Sequence, residues 1–168
     1  MSETATGKES FSPRIVAFFC NWCTYTAADL AGTARMVYKP NVRVVRIMCS
    51  GRLDPQFVLA AFRAGADGVL IGGCHPGDCH YQAGNYKALR RFTLLKRLLK
   101  SMGIEEERAR LEWIAASEGD KVQRVINEMT EAVRRLGPLR LEQARIPAAA
   151  VHHAAQPAQA VLAHGGAR

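Results

Sequence analysis

Four short apolar runs alternate along the chain with longer segments of helical periodicity. The runs cover residues 14–19, 42–48, 68–71 and 111–116. They are short and largely built from apolar, often β-branched side chains, which is typical of strands, and the first and third runs are expected to be buried. The segments between them repeat apolar positions every three or four residues, as amphipathic helices do. This alternation predicts an α/β fold, in which about four parallel strands form one open sheet with helices on both faces.

The predicted helices span roughly residues 26–38, 55–64, 85–102 and 119–136. Pro40 ends the first of them, because proline disfavours helix in the residue before it. Asp54 and Pro55 begin the second as an N-cap acceptor followed by proline. A left-handed glycine commonly terminates a helix, and one follows each of the last three helices: Gly65, Gly103 and Gly137. A flavodoxin-like strand order of 2-1-3-4 is the natural arrangement for this pattern.

The two ends of the chain differ in composition from the segment between them. Residues 1–12 are small and polar and are expected to form a disordered tail. Residues 138–168 are rich in alanine and proline and are expected to form a loosely ordered tail. Residues 13–137 are therefore the predicted folded domain, within a chain of 168 residues that is 48% hydrophobic. The chain shows neither a run of about 18 apolar residues nor a secretory signal, so we expect a cytoplasmic protein without a membrane span.

Five cysteines follow the first three predicted strands: Cys20, Cys23, Cys49, Cys74 and Cys79. The carboxyl ends of parallel strands meet at one edge of a sheet, where ligands bind. Cytosolic thiols are normally kept reduced, and an odd number of them cannot all pair in disulfides. The cysteines therefore indicate a metal cluster or a redox site at this edge.

Three kinds of site fit such a set of thiols. A thiol–disulfide oxidoreductase would use the Cys20-x-x-Cys23 spacing, but three cysteines would then be unexplained. A zinc-stabilised interaction module would use four cysteines, although a chain with four strands and four helices does not need zinc to fold. An iron–sulfur cluster also takes four thiolates, and the nearby glycines could offer backbone N–H donors to sulfur. The spacings match no ferredoxin pattern, so they do not identify a cluster type.

Paired spacing favours two pairs as the metal ligands, Cys20 with Cys23 and Cys74 with Cys79. Cys49 would then lie beside the site as a fifth thiol or an alternative ligand. His75 and His80 are expected to tune the site by hydrogen bonding rather than to ligate. A flavin is not expected in this chain, because Cys-Asn-Trp-Cys follows the first strand where a flavodoxin has its phosphate loop rich in serine and threonine.

The net charge of +8 is concentrated in one segment, Lys87 to Lys100. Such a run is an ordinary solvated helix face or a docking surface for an acidic protein partner. Nucleic acid is not the expected partner, because neither tryptophan is interleaved with this segment.

In combination, the motifs of this chain resemble the delta subunit of methyl-viologen-reducing hydrogenase. They are Phe19-Cys20-Asn21-Trp22-Cys23, Val45-Arg46-Ile47-Met48-Cys49-Ser50-Gly51-Arg52, Gly65-Ala66-Asp67-Gly68-Val69, Gly73-Cys74-His75-Pro76-Gly77-Asp78-Cys79-His80-Tyr81 and Gly84-Asn85-Tyr86-Lys87. The resemblance covers about residues 13–137 and includes all five cysteines. It implies a small iron–sulfur protein, usually assigned a 2Fe–2S cluster. Members of this family pass electrons between a hydrogenase, formate dehydrogenase or other oxidoreductase and the flavin-containing A-type component of heterodisulfide reductase.

Overall fold

The computed structural model describes residues 11–141, so most of both predicted tails lies outside the described residues. Strands and helices alternate along this range: β1 (Ile15–Cys20), α1 (Thr24–Thr33), β2 (Val42–Ile47), α2 (Pro55–Arg63), β3 (Gly68–Gly73), α3 (Gly84–Ser101), β4 (Ala109–Trp113) and α4 (Gly119–Leu136). Short 3₁₀ turns at Ser50–Arg52 and Glu106–Arg108 precede α2 and β4. The predicted α/β alternation is confirmed, and most of the predicted boundaries are within two residues of those observed.

The four strands form one parallel sheet in the order β2-β1-β3-β4. The predicted flavodoxin-like order is therefore confirmed. β1 is central and pairs on both sides, with Phe19 opposite Arg46 of β2 and Gly72 of β3. As a consequence, the residues that follow β1, β2 and β3 lie next to one another at the carboxyl edge of the sheet.

Side chains alternate between the two faces of the sheet, and a pair of helices packs on each face, while the edge strand β2 stays largely exposed. On one face Ala17, Phe19 and Leu70 pack with the apolar side of α4, and α1 lies beside α4. On the other face Phe18 and Ile71 pack with α2 and α3. Each pair of helices buries its own apolar cluster against the sheet, so the sheet is stabilised from both sides.

The first helix is shorter than its pattern predicts, because it ends at Thr33 and not at residue 38. Arg35 then adopts a left-handed conformation with φ of 55°, which turns the chain. The following segment lies along α4, where Gln123 donates to the carbonyl of Val37 and Asn127 accepts from the backbone N–H of Lys39. Contacts with α4 therefore replace the last turn of the predicted helix.

The apolar stripe predicted for α3 is only partly buried. Leu95 and Leu99 lie in the core, whereas Leu89, Leu98 and Met102 are exposed. Small and polar positions complete the buried face, which the apolar pattern alone did not indicate: Gly84, Asn85 and Ala88.

Beyond α4, the side chains of Leu139 and Leu141 pack against the α2–α3 side of the core. Among the described residues, none of the helices has the length and apolar character needed to cross a bilayer.

Candidate metal centre

All five cysteines are buried together at the carboxyl edge of the sheet. Cys20 is the last residue of β1, Cys49 lies two residues beyond β2, and Cys74 directly follows β3. The other two cysteines lie at the entries to helices: Cys23 just before α1, and Cys79 in the loop leading to α3. Because β1, β2 and β3 are neighbours, the sheet brings these separate parts of the chain to one place.

Three of the thiols form a compact group. The sulfur atoms of Cys20, Cys23 and Cys74 all lie within 4.8 Å of one another, and those of Cys20 and Cys74 are 3.8 Å apart. All three side chains are almost fully buried. This group has the separation and burial required to hold one metal ion.

The other two thiols, of Cys49 and Cys79, form a pair whose sulfur atoms are 3.8 Å apart. The Cys49 sulfur also accepts a hydrogen bond from the backbone N–H of Gly51, at 3.4 Å. Both 3.8 Å contacts join cysteines that follow different strands. Sequence spacing had paired neighbours along the chain, and it carries no information about these contacts.

The Cys49–Cys79 pair packs against bare backbone at the start of α3. A Cβ atom on Gly84 would lie 2.9 Å from the Cys79 sulfur and would overlap the Cys49 sulfur. A Cβ atom on Gly51 would lie 2.7 Å from the carbonyl oxygen of Gly84. Glycine at both positions therefore lets two thiols and two backbone segments approach closely.

The thiols of the compact group differ in acidity. The pKa of Cys20 is lowered from 9.0 to about 5, mainly because the Cys23 thiol donates a hydrogen bond to its sulfur, while burial acts in the opposite direction. The same hydrogen bond raises the pKa of Cys23, which must keep its proton to donate. Burial is the main cause that raises the pKa of Cys74. Cys20 is therefore the thiol of this group that ionises first.

The thiols of the second pair also differ in acidity. Burial tends to raise the pKa of Cys79, but backbone N–H groups of the following loop and of the start of α3 lower it overall: Tyr81, Asn85 and Gly84. Burial raises the pKa of Cys49 to about 11. In each sulfur group, hydrogen bonds thus make one thiol more acidic than an ordinary cysteine.

Two polar side chains, of Glu118 and Asn85, fix the segment that carries Cys74. The Nε2 atom of His75 lies 2.7 Å from a carboxylate oxygen of Glu118, which also accepts the backbone N–H of Ala115 at 2.6 Å. From the other side, the buried amide of Asn85 donates to the carbonyls of His75 at 2.6 Å and Cys74 at 3.4 Å. The loop after β3 is thereby tied both to the start of α4 and to α3.

The profile of the methyl-viologen-reducing hydrogenase delta subunit family matches residues 15–137 of this sequence. The chain belongs to this family. It is 57% identical over 135 residues to the iron-sulfur D subunit of the F420-non-reducing hydrogenase of Archaeoglobus profundus, a match that covers 80% of this chain and 98% of that protein. It is 55% identical over 135 residues to the vhc iron-sulfur D subunit of the F420-non-reducing hydrogenase of Methanococcus voltae, with 80% of this chain and 94% of that protein covered.

A third relative is a much longer protein. It is the A subunit of the ferredoxin/F420H2-dependent CoB-CoM heterodisulfide reductase of Methanosarcina acetivorans. The two sequences are 47% identical over 135 residues, which are 80% of this chain but only 17% of that protein. A sequence related to this delta-subunit chain is thus part of a larger polypeptide in that relative.

The thiol site of this delta-subunit chain has the donor set that an iron–sulfur cluster requires. It offers more than four thiols, a backbone N–H group that already donates to sulfur, and a glycine surface against which two of the thiols lie. The residues present therefore fit the group that the names of the relatives indicate.

Sequence reasoning identified all five thiols but missed the groups that hold them in place. Glu118 lies 43 residues from His75, and no local motif marks it. Asn85 lies in the first turn of α3, which begins after Ala83, and its amide faces the loop of Cys74.

The ring of His80 stacks on Trp22, with ring centroids 3.8 Å apart. Tyr81 completes this aromatic cluster, since its hydroxyl accepts a hydrogen bond from the Trp22 indole at 3.2 Å. The cluster is carried by the same loops as Cys23 and Cys79, on their exposed side.

Proposed function

We propose that this chain is an iron–sulfur electron-transfer protein with no reaction of its own. It passes electrons between a hydrogenase, formate dehydrogenase or another oxidoreductase and a heterodisulfide-reductase A-type flavoprotein in the cytoplasm. The observation that carries this proposal is the convergence of five buried thiols in a member of the delta-subunit family. The names of the relatives support it, since they are iron-sulfur D subunits of hydrogenases and the A subunit of a heterodisulfide reductase.

The proposed metal ligands are Cys20, Cys23, Cys74 and Cys79. The first three form the compact group, and Cys79 comes from the adjacent pair. Cys49, which contacts the Cys79 sulfur, is the alternative fourth ligand. A 2Fe–2S cluster bound there would supply one-electron chemistry. The chain itself positions the thiolates, limits the access of water to them and supplies N–H donors that favour negative charge on sulfur.

The Methanosarcina relative supports the choice of partner. A domain that is covalently part of a larger protein stays at a high effective concentration beside the rest of that protein. A separate chain of the same family must instead dock to reach the same neighbour. The relative therefore supports a heterodisulfide-reductase A-type protein as the partner that this domain contacts.

One observation favours a second candidate, a thiol–disulfide oxidoreductase. The pKa of Cys20 is lowered to about 5 by Cys23, as in enzymes with an activated Cys-x-x-Cys motif. However, Cys20 is 1% exposed, so a protein disulfide cannot reach its sulfur without local opening. The electron-transfer proposal explains all five thiols and is preferred.

Metal analysis of the full chain, purified without oxygen, tests the proposal. We expect a brown protein with about two iron atoms and about two acid-labile sulfides per chain, and an EPR signal after reduction. About four iron atoms and about four sulfides per chain would indicate a different cluster type and leave the proposed function standing. Zinc alone, or a colourless protein that reduces disulfides, would overturn the proposal in favour of its rivals.

Serine substitutions then test the ligand set, because a hard oxygen is a poor substitute for a soft thiolate. We expect Cys74→Ser and Cys79→Ser to abolish the cluster and Cys49→Ser to retain at least part of it. Cys49→Ala is the companion variant, because it removes the thiol without introducing a hydroxyl group. If Cys49→Ser lost the cluster completely and Cys23→Ser retained it, Cys49 would be a ligand and Cys23 would not.

A further inference from the structure

An exposed aromatic cluster lies directly beside the buried thiols. Trp22 stands between Cys20 and Cys23 in the sequence and is 44% exposed, although both neighbouring cysteines are buried. Tyr81 is 50% exposed and lies against Trp22. Large aromatic side chains are enriched in protein interfaces, where one side is apolar and the polar tip finds a hydrogen bond.

A cavity of about 360 Å³ continues this surface. Tyr81 forms one side of it, and Met48, which is 51% exposed, forms another. Cys49 and Gly84 also line the cavity, so it lies against the second thiol pair. The apolar surface therefore runs from the aromatic cluster to the thiol site, which is typical of an interaction surface.

The charged residues of this cavity are both basic. Arg52 and Lys87 line it, and within residues 11–141 neither forms an ion pair. In the described part of the chain, no acidic residue lines the cavity. An apolar centre with unpaired cations at its margin fits a partner surface with acidic side chains at the corresponding positions.

Three of the other basic residues of α3 are engaged by groups of this chain, whereas the exposed Arg90 and Arg97 form no ion pair within the described residues. Arg91 donates to the carbonyls of Gly51 and Leu53, at 2.6 and 3.3 Å. Lys96 and Lys100 lie 3.5 and 3.6 Å from the Glu106 carboxylate. Among the described residues of α3, Lys87 is the basic residue that lines the cavity beside the thiols.

We infer that an aromatic–basic rim, made of Trp22, Met48, Arg52, His80, Tyr81 and Lys87, is the surface on which this chain docks an acidic face of the A-type flavoprotein. The inference rests on the proposed function. Docking at the rim places the partner against the loops that carry the thiols, whereas docking on the far half of α3 would leave the length of that helix between them.

The test is binding of the metal-loaded full-length chain to the A-type flavoprotein of the same organism, measured by calorimetry at low and high salt. Arg52→Glu/Lys87→Glu reverses both cations of the rim. Arg63→Glu/Arg97→Glu is the matched control, because it makes the same change in net charge at exposed positions that do not line the cavity. Met48→Asp tests the apolar part of the rim. The visible spectrum of each variant must show that its cluster is intact.

We expect the Arg52→Glu/Lys87→Glu variant to bind at least about tenfold more weakly than wild type and the control to bind within about twofold of it. Met48→Asp should also bind more weakly. High salt should weaken the binding of wild type more than that of the double variant, since screening removes only the charge contribution to binding.

Equal binding by both charge variants would show that the rim is not the docking surface and would leave the proposed function standing. Absence of wild-type binding at every salt concentration would overturn both. Sedimentation showing a dimer that the double variant dissociates would also overturn the inference, because a second copy would occupy the rim.

Discussion

The single hydrogen that serves as the side chain of Gly84 determines how closely two thiols approach the start of α3. The sulfur atoms of Cys49 and Cys79 occupy the space that a Cβ atom would need. Gly84 lies in the helix and is not among the glycines with positive φ, so glycine is required by this contact and not by the backbone angles.

Gly84→Ala should therefore displace the Cys49–Cys79 pair and reduce the iron content of the purified protein by more than about half. Gly32→Ala in α1 is the matched control, because no atom lies within 4 Å of the added carbon. The control should retain full iron content and be more stable by about 0.5–1 kcal/mol, since alanine favours helix over glycine. Full iron content in Gly84→Ala would show that the pair can shift without affecting the site.

The contact between His75 and Glu118 is a positioning contact for Cys74. Their side chains are 36% and 33% exposed, so solvent weakens the pair, and we expect Glu118→Gln to lose about 1 kcal/mol of stability. The more specific expectation is spectroscopic: broader EPR lines and faster iron loss to a chelator, because the Cys74 loop samples more positions.

Glu128→Gln is the control for that prediction, because Glu128 forms a similar contact with Arg110, at 2.9 Å, away from the thiols. His75→Gln should keep narrower lines than His75→Ala, since its amide can still donate to Glu118. Identical spectra for Glu118→Gln and Glu128→Gln would show that the contact has no influence on the site.

At the scale of elements, the 3₁₀ turn before β4 is held by a buried arginine. Arg108 is 1% exposed, and its guanidinium contacts the Glu105 carboxylate at 2.7 Å and the carbonyl of Asp67 at 3.0 Å. The hydrogen bond from Arg108 is the main cause that lowers the pKa of Glu105 below its ordinary 4.5, and burial opposes it. The Glu105–Arg108 charge pair lies within the turn, and the hydrogen bond from Arg108 to the Asp67 carbonyl ties the turn to the start of β3.

Because the pKa of Glu105 is lower in the folded than in the unfolded chain, the pair stabilises the fold above about pH 4.5 and loses this contribution as pH falls through the folded value. Glu105→Gln should cost about 1 kcal/mol at neutral pH, a figure that allows for the 42% exposure of the Glu105 side chain. The difference in the free energy of unfolding between the variant and wild type should shrink as the pH falls below the pKa that Glu105 has in the unfolded chain. Urea unfolding at neutral and at acidic pH measures it, and a difference that grows on acidification would contradict the assignment.

At the scale of the whole molecule, the two apolar layers do not depend on the thiol site. Within the described residues, neither layer contains a cysteine, and each packs a pair of helices on one face of the sheet. Three of the thiols form a separate cluster at the sheet edge. The sheet should therefore persist when metal is removed, unlike small domains that unfold without their metal.

Anaerobic removal of iron should leave the far-ultraviolet circular dichroism nearly unchanged and lower the melting temperature by several degrees, because binding to the folded state alone adds stability. Hydrogen exchange should increase in the loops after β1, β2 and β3 and little in the sheet itself. Global unfolding of the metal-free chain would show that the thiol site is needed to hold the strands together.

The sequence by itself determined the strand and helix alternation, the strand order and the cysteines that meet at the sheet edge. Apolar runs of the right length specify strands, although β2 is largely exposed. Parallel strands place whatever follows them at one edge, so five cysteines after three strands converge there. The end of α1 and the exposed half of the α3 stripe were not predictable, because contacts with α4 and the position of α3 on the sheet decide them.

Only the tertiary structure decided which thiols touch. The register of β1 with β2 and β3 brings Cys20 to Cys74, and the close approach of Gly51 to Gly84 brings Cys49 to Cys79. The same packing pairs His75 with Glu118. These three contacts join residues 30 to 54 positions apart, and hydrophobic periodicity, which reports only on neighbours within a few turns, carries no information about them.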